Sequence, residues 1–254
     1  MVSSGMPIII YAILDTTVIN ESISYFIEKL SIESSIQFKL LSSHELTAVV
    51  SIRTAEKSAT SREELLIYAG IIDKLSQKYS VLPMRYGSVV SSHEGVTDLL
   101  EKNSESILRV LKKIMNKEEY SLRILFSHKH QDAEFNEGSA DVAQLLPGIL
   151  LGNSENKQYL LKKYQKHIIE EMRSKYIEKI QSLVIRDLRN ITEFIEFNKK
   201  VSPAFVIDAV ILIDKSVKCE LLAFVASLQS MYPEHNVILT GPWPVYNFAK
   251  ITLE

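Results

Sequence analysis

Between Pro7 and Val90 the apolar residues switch between two spacings, and the order of the switches restricts the fold more than any other feature of the chain. Ile8, Ile9, Ile10, Tyr11 and Ile13 form a short β-branched run without helical spacing, as in a strand buried on both faces. Ile19, Ile23, Phe26, Ile27 and Leu30 then recur three or four residues apart, which makes one helical stripe over 18–30. Residues 36–41 and 46–52 are two β-rich runs on either side of the turn-like Ser42-Ser43-His44, a hairpin or meander pair. Ser61, three residues before Glu64, is a capping box opening an amphipathic helix to Tyr79, and 81–90 reads as a further strand. Strand, helix, strand, strand, helix, strand is the order of the split βαβ, or ferredoxin-like, unit, in which two helices cover one face of a sheet.

The second half repeats the theme. Ser91 or Ser92 caps a helix reaching about Lys117, whose apolar face is Leu99, Leu100, Ile107, Leu108, Leu111 and Ile114, and which bridges to a second domain. Tyr120 to Phe126 alternates as a strand, and 128–138 is a charged, turn-rich stretch that reads as a mobile loop. From Ser154 to about Asn198, Leu161, Tyr164, Ile168, Met172, Tyr176, Ile180, Leu183, Leu188, Ile191 and Ile195 keep mostly helical steps. About 44 unbroken residues would reach roughly 65 Å, so part of this stripe faces a partner, or the helix bends or breaks. Phe205 to Ile213 carries the richest strand signal, followed by a helix over 216–231 and a strand over 237–240. That is one strand short of a regular ferredoxin-like unit. The expected fold is therefore α+β in two domains: 1–117, a split βαβ-like domain with the bridging helix, and 118–254, a modified ferredoxin-like domain with a long helix and a Pro/aromatic tail, 241–254.

At 254 residues the chain is long for one domain. Lys and Arg number 29 against 31 Asp and Glu, a net charge of -2, which excludes a strongly basic nucleic-acid binder. A single cysteine, Cys219, cannot make an intramolecular disulfide and favours a reducing cytoplasm. Met1 to Leu14 lacks the cationic start of a signal peptide, and neither it nor 221–233 has the length and apolarity to span a bilayer, so no role at a lipid membrane is expected.

Catalytic and nucleotide-binding signatures are absent: no Gly-x-Gly-x-x-Gly, Gly-x-x-x-x-Gly-Lys, Gly-x-Ser-x-Gly or His-Glu-x-x-His occurs. The nearest metal signal is His128 and His130 with Asp132 and Glu134, alternate residues of an extended stretch, and two imidazoles are too few for a preoriented site. The alternative function, a metal- or small-molecule-binding sensor on ferredoxin-like units, would rest on them. Glu63-Glu64, Glu118-Glu119 and Glu170-Glu171 are neighbours in sequence, diverge on a helix and read as solvated faces. Cys219 has no Cys-x-x-Cys partner and reads as a structural thiol. The basic cluster between Lys157 and Lys179 is balanced by Glu170, Glu171 and Glu178, a solvated helix face. No catalytic residue, cofactor or metal is expected.

Two segments stand out. In Leu82-Pro83-Met84-Arg85-Tyr86-Gly87-Ser88 a proline opens a strand and a glycine ends it, a fixed corner in which Arg85 is expected to pair with a carboxylate or with carbonyl oxygens. In 239–248, three rings (Trp243, Tyr246, Phe248) and two prolines (Pro242, Pro244) make a stiff tail that loses little entropy on docking, and Trp243 is expected to pack on the protein body. With Ile10-Tyr11-Ala12-Ile13, these segments closely resemble the gas vesicle protein F/L family over essentially the whole chain. The most specific piece is Thr240-Gly241-Pro242-Trp243-Pro244; Val245 departs from it, standing where the family often has a second proline before the tyrosine. The resemblance implies a non-catalytic minor structural or accessory protein of gas vesicle assembly. Its implied partners are the small, very hydrophobic shell protein and other accessory proteins. Its implied location is the gas vesicle within the cytoplasm, including the gas-facing side of the wall. It also makes Tyr11, Leu82, Pro83, Arg85, Tyr86, Gly87, Gly241, Pro242, Trp243, Pro244, Tyr246 and Phe248 the residues expected to be structural or partner-binding.

Overall fold

A computed structural model describes residues 7–18, 21–52, 62–126, 155–198 and 205–252. The chain divides into two compact units, Met1–Tyr120 with Gly241–Glu254, and Ser121–Thr240. By packing, the tail 241–254 thus belongs with the N-terminal half, whereas its place in the sequence groups it with the C-terminal half.

In the first unit, β1 (Ile8–Asp15), α1 (Glu21–Ser34), β2 (Phe38–Ser43), β3 (Leu46–Ile52), α2 (Arg62–Lys78) and β4 (Leu82–Pro83) follow the expected order. The sheet runs β2-β3-β1-β4, with β5 (Val89–Val90) also on β1. Every recorded pairing in it is antiparallel. β1 is central because its β-branched run can be enclosed on both faces: Ile10 to Leu14 are all buried. Tyr11, Ala12 and Leu14 pack with Ile23, Ile27 and Leu30 of α1 and with Tyr68, Ile71, Ile72 and Leu75 of α2. The hairpin β2–β3 pairs Ser43 with Leu46, leaving His44-Glu45 as the turn, with His44 at φ 50°. The capping residue Ser61 lies outside the described residues.

Two elements differ from expectation. Residues 81–90 are not one strand: Gly87 at φ 85° closes a turn in which the Ser88 amide donates to Arg85 O at 3.0 Å, so β4 and β5 are separate short pieces. The expected helix over 91–117 is two helices, α3 (His93–Lys102) and α4 (Ser104–Ile114). Ser92 caps α3, its side chain accepting from the Gly95 amide at 3.1 Å, as the sequence indicates. The break is at buried Asn103, whose Nδ2 donates to Leu99 O at 2.8 Å and so competes with the backbone ladder. α3 lies on β2 and β3 and α4 on β1 and β4, burying Val96, Leu100, Ile107, Leu111 and Ile114.

In the second unit the helical stripe ends earlier than its spacing implies. The helix α5 covers Glu155–Leu188, and Phe194–Phe197 is a strand, β7. Ile191 and Ile195 continue the helical step, but buried Thr192 decides otherwise. Its hydroxyl donates to Leu212 O at 2.6 Å and accepts the Phe194 amide at 3.1 Å, which pulls the chain onto β8 (Phe205–Asp214). With β6 (Lys117–Phe126), α6 (Lys218–Met231) and β9 (His235–Trp243), the order β6-α5-β7-β8-α6-β9 supplies the strand missing from the sequence reading. The sheet runs β7-β8-β6-β9, the same path that β2-β3-β1-β4 takes in the first unit. The fold is α+β, with two antiparallel sheets built on one βαββαβ plan.

Candidate functional site

Two of the segments singled out in the sequence, at Tyr11 and at Leu82–Ser88, meet around one ring stack in the first unit. β1 is irregular at Tyr11, where its register on β3 shifts between Ile10 and Ala12. That irregularity frees the Tyr11 carbonyl to accept from the Met84 amide at 2.8 Å and from the Tyr68 hydroxyl at 3.4 Å. The Tyr68 hydroxyl also donates to Met84 O at 2.7 Å, so one buried side chain of α2 ties β1 to the Leu82–Ser88 corner. The rings follow suit. Tyr11 packs edge-on to Phe38 at 5.1 Å and stacks on Tyr68 at 5.0 Å, and Tyr68 meets Tyr86 edge-on at 5.2 Å.

Leu82 and Pro83 sit opposite Ile13 and Ala12 of β1, with Leu82 fully buried. Gly87 provides the left-handed turn that turns Tyr86 back over Tyr68, and the Tyr86 hydroxyl donates to Glu64 Oε2 at 3.0 Å. Arg85 does not hold the corner as expected: it is exposed and makes no ion pair with another described residue.

The tail is anchored by a group that the sequence reading placed in solvent. Glu118-Glu119 lie on strand β6, not on a helix, so their side chains point to opposite faces. Glu118 accepts the Tyr120 hydroxyl at 2.7 Å, while Glu119, 2 % exposed, accepts the Asn247 amide at 2.9 Å and Asn247 Nδ2 at 2.7 Å. Gly241, at φ 132°, lies against Glu119 O and the ring of Tyr120. Phe248 is buried beneath Lys113 of α4, whose Nζ lies 5.5 Å from the ring centroid. Pro244, Val245 and Ala249 are buried as well.

Trp243 corrects the expectation of a clamp. It remains 49 % exposed, with Tyr246 at 43 % and Pro242 also on the surface. Burial falls instead on Pro244–Val245 and Phe248–Ala249, which pin the tail, while the rings of Trp243 and Tyr246 stay partly exposed.

The hydroxyls of Tyr11, Tyr68 and Tyr246 stay protonated throughout the neutral range. Burial raises Tyr11 above its ordinary value, against the hydrogen bond with Ser51, and Glu64 adds to the rise. Burial raises Tyr68 much further, with Tyr246 and Tyr11 opposing its ionisation. Burial, Asp73 and Glu119 raise Tyr246. None is a poised acid, base or nucleophile, and these side chains are built to hold a surface in place. Among the described residues, no group of three or more His, Cys, Asp or Glu converges where a metal ion could be held. His128, His130, Asp132 and Glu134 lie outside the described residues. No helix among the described residues is long and apolar enough to cross a membrane.

The sequence reading missed Tyr68, Glu119 and Asn247. The signal available for Glu119 was its position: Tyr120, Leu122, Ile124 and Phe126 keep a period of two, which puts Glu119 on the opposite face of a strand.

The family model for gas vesicle synthesis protein GvpL/GvpF matches residues 7–250. The chain belongs to that family. The GvpL/GvpF chain described here is similar in structure to the crystal structure of the gas vesicle protein GvpF from Anabaena sp. PCC7120, with a TM-score of 0.75 and 18% identity over 98% of this chain and 100% of that one. It is also similar to the crystal structure of GvpF from Microcystis aeruginosa, with a TM-score of 0.71 and 13% identity over 97% of this chain and 100% of that one. At such identities the likeness bears on the fold. No curated protein matches the chain. GvpL/GvpF membership gives it an accessory role in gas vesicles, and the α+β fold and the family agree with the resemblance carried by the motifs.

Proposed function

We propose that this GvpL/GvpF protein is a non-catalytic accessory factor that binds the small, hydrophobic shell protein during gas vesicle assembly, through the aromatic surface of its tail. One observation supports this reading most. Trp243 and Tyr246 stay about half-exposed on a segment whose neighbours are buried and hydrogen-bonded. Large rings on a rigid support contribute most to interfaces, because little conformational entropy is lost when they are covered. Burying the rest of Trp243 in a partner contributes about 1 kcal/mol, half of the roughly 2 to 3 kcal/mol for a full side chain. Tyr86 and Arg85 add exposed groups at the 82–88 corner, Leu82, Pro244 and Phe248 support the surface from within, Pro83 sits on β1, and Gly87 and Gly241 supply the positive-φ backbone. Other accessory proteins are further partners, and the protein works at the vesicle, including the gas-facing side of the wall.

Deleting the gene in the host and imaging cells for gas vesicles tests the role. Loss or malformation of vesicles, restored by the intact gene, is the expected outcome. Vesicles of normal number and shape without the gene would overturn it.

A further inference from the structure

The outer face of α2 carries groups that its own fold does not use. Tyr68, Ile71, Ile72 and Leu75 are buried against the sheet. At about 100° per residue, the opposite side of the helix is marked by Leu66, 63 % exposed, and one turn later by Gly70. Ile67 is exposed beside them. A glycine inside a helix destabilises it relative to alanine, yet a Cβ at Gly70 would meet no described atom within 4 Å. Packing within the chain therefore gives no reason for a glycine here. Charges flank this face at both ends. Arg62 and Glu63 stand about a turn before Leu66, and Asp73 and Lys74 about a turn after Gly70. All six residues lie within about 70° of the outward direction. Arg62 and Glu63 make no ion pair with another described residue, Asp73 accepts Gln77 Nε2 at 2.9 Å, and Lys74 donates to Glu33 at 2.7 Å.

We propose that this face joins two copies of the chain, α2 against antiparallel α2, about a two-fold axis at the level of Tyr68. Such an axis sets each flank of the face against the same flank of the second copy, at heights mirrored about the axis. On one flank Arg62, six residues before the axis, meets Asp73 of the second copy, five residues after it. On the other flank Glu63, five before, meets Lys74 of the second copy, six after. Between these pairs Leu66 and the second copy's Gly70 face each other across the seam, each two residues from the axis, and Ile67 meets its own equivalent. The space left by the glycine is the space that Leu66 fills, and helix axes approach according to the side chains between them. A parallel pairing would instead set Leu66 on Leu66 and leave Gly70 facing Gly70 across a gap. Contact along about three turns of one helix is smaller than the roughly 800 Å² per partner of a standard complex, so the dimer is weak and depends on concentration.

Sedimentation of the full chain over a concentration series tests the proposal. The weight-average mass should rise from 28.9 kDa toward twice that value. Leu66→Glu should keep the chain monomeric with its melting temperature within a few degrees of the original, because the residue lies outside the core. Gly70→Leu should do the same by occupying the space that Leu66 of the second copy needs. Arg62→Glu and Asp73→Arg should each weaken association by roughly tenfold, since two attractive pairs become two repulsive ones. Mixing these two variants should restore it, because every Arg62–Asp73 contact then joins opposite charges again. In a parallel pair Arg62 would face Glu63 and Asp73 would face Lys74, and the mixture would gain nothing, so recovery reports the antiparallel register. A 28.9 kDa species at every concentration overturns the proposal. So does a dimer indifferent to Leu66→Glu and Gly70→Leu, or a mixture that associates no better than its components.

Discussion

Gly241→Ala should lower folding stability by about 2 to 5 kcal/mol, with a fall in melting temperature on the order of 10 °C. Two effects add. Gly241 sits at φ 132°, where an L side chain is strained whatever space surrounds it. A methyl group there would also stand 2.8 Å from the Glu119 carbonyl oxygen and 2.8 Å from Tyr120 Cδ1, with Tyr120 Cα at 3.2 Å. Those atoms belong to the start of β6, a strand that cannot shift locally without disturbing its neighbours in the sheet. Part of the strain would be relieved by lifting the tail, and Trp243 and Tyr246 would lose their fixed positions. Thermal unfolding followed by circular dichroism measures the loss, and an unchanged melting temperature would show that the tail does not lie against β6 as described.

Glu119→Ala should destabilise the protein by about 3 kcal/mol. A buried carboxylate accepting two hydrogen bonds contributes about 1.5 to 3 kcal/mol through each, and its removal leaves the Asn247 amide and Nδ2 without their acceptor. Glu119→Gln keeps one acceptor oxygen and should lose about half as much. The diagnostic comparison is a double-mutant cycle with Asn247→Ala. If the side-chain bond is the link, the two losses overlap by about 1 kcal/mol or more, whereas strictly additive losses would mean that the residues act separately.

How much of this was legible in the chain depends on whether local spacing or a distant partner decides each element. The β-branched run at Ile8–Asp15, the stripes of α1 and α2, the hairpin and the Ser92 cap are all decided within a few residues, and each was readable. So was the first βαββαβ order. β7 was not readable, because Ile191 and Ile195 continue the helical step and the group that ends it, Thr192, acts through a carbonyl of β8 twenty residues further on. The break at Asn103 was hidden for the opposite reason: a strongly periodic apolar face over 99–114 masks a single competing side chain.

At the site, the motif residues were found in sequence, but their roles were not. Arg85 stands in solvent, where pairing had been expected, and Trp243 is half-exposed, where packing had been expected. Both outcomes follow from neighbours whose importance only the fold reveals. Tyr68 already satisfies the carbonyls of Tyr11 and Met84 at the corner, and Glu119 already anchors the tail through Asn247. The residues that remain exposed, Arg85 and Trp243 among them, are the ones that form the surface.

Co-expression with the shell protein tests that surface most directly. With the intact chain, the shell protein should stay in the soluble fraction and co-elute with it. Trp243→Ala combined with Tyr246→Ala should abolish co-elution while leaving the melting temperature within a few degrees of the original, because neither ring belongs to the buried core. Shell protein that is equally insoluble with and without the intact chain, or that co-elutes undiminished with the double variant, would contradict the account.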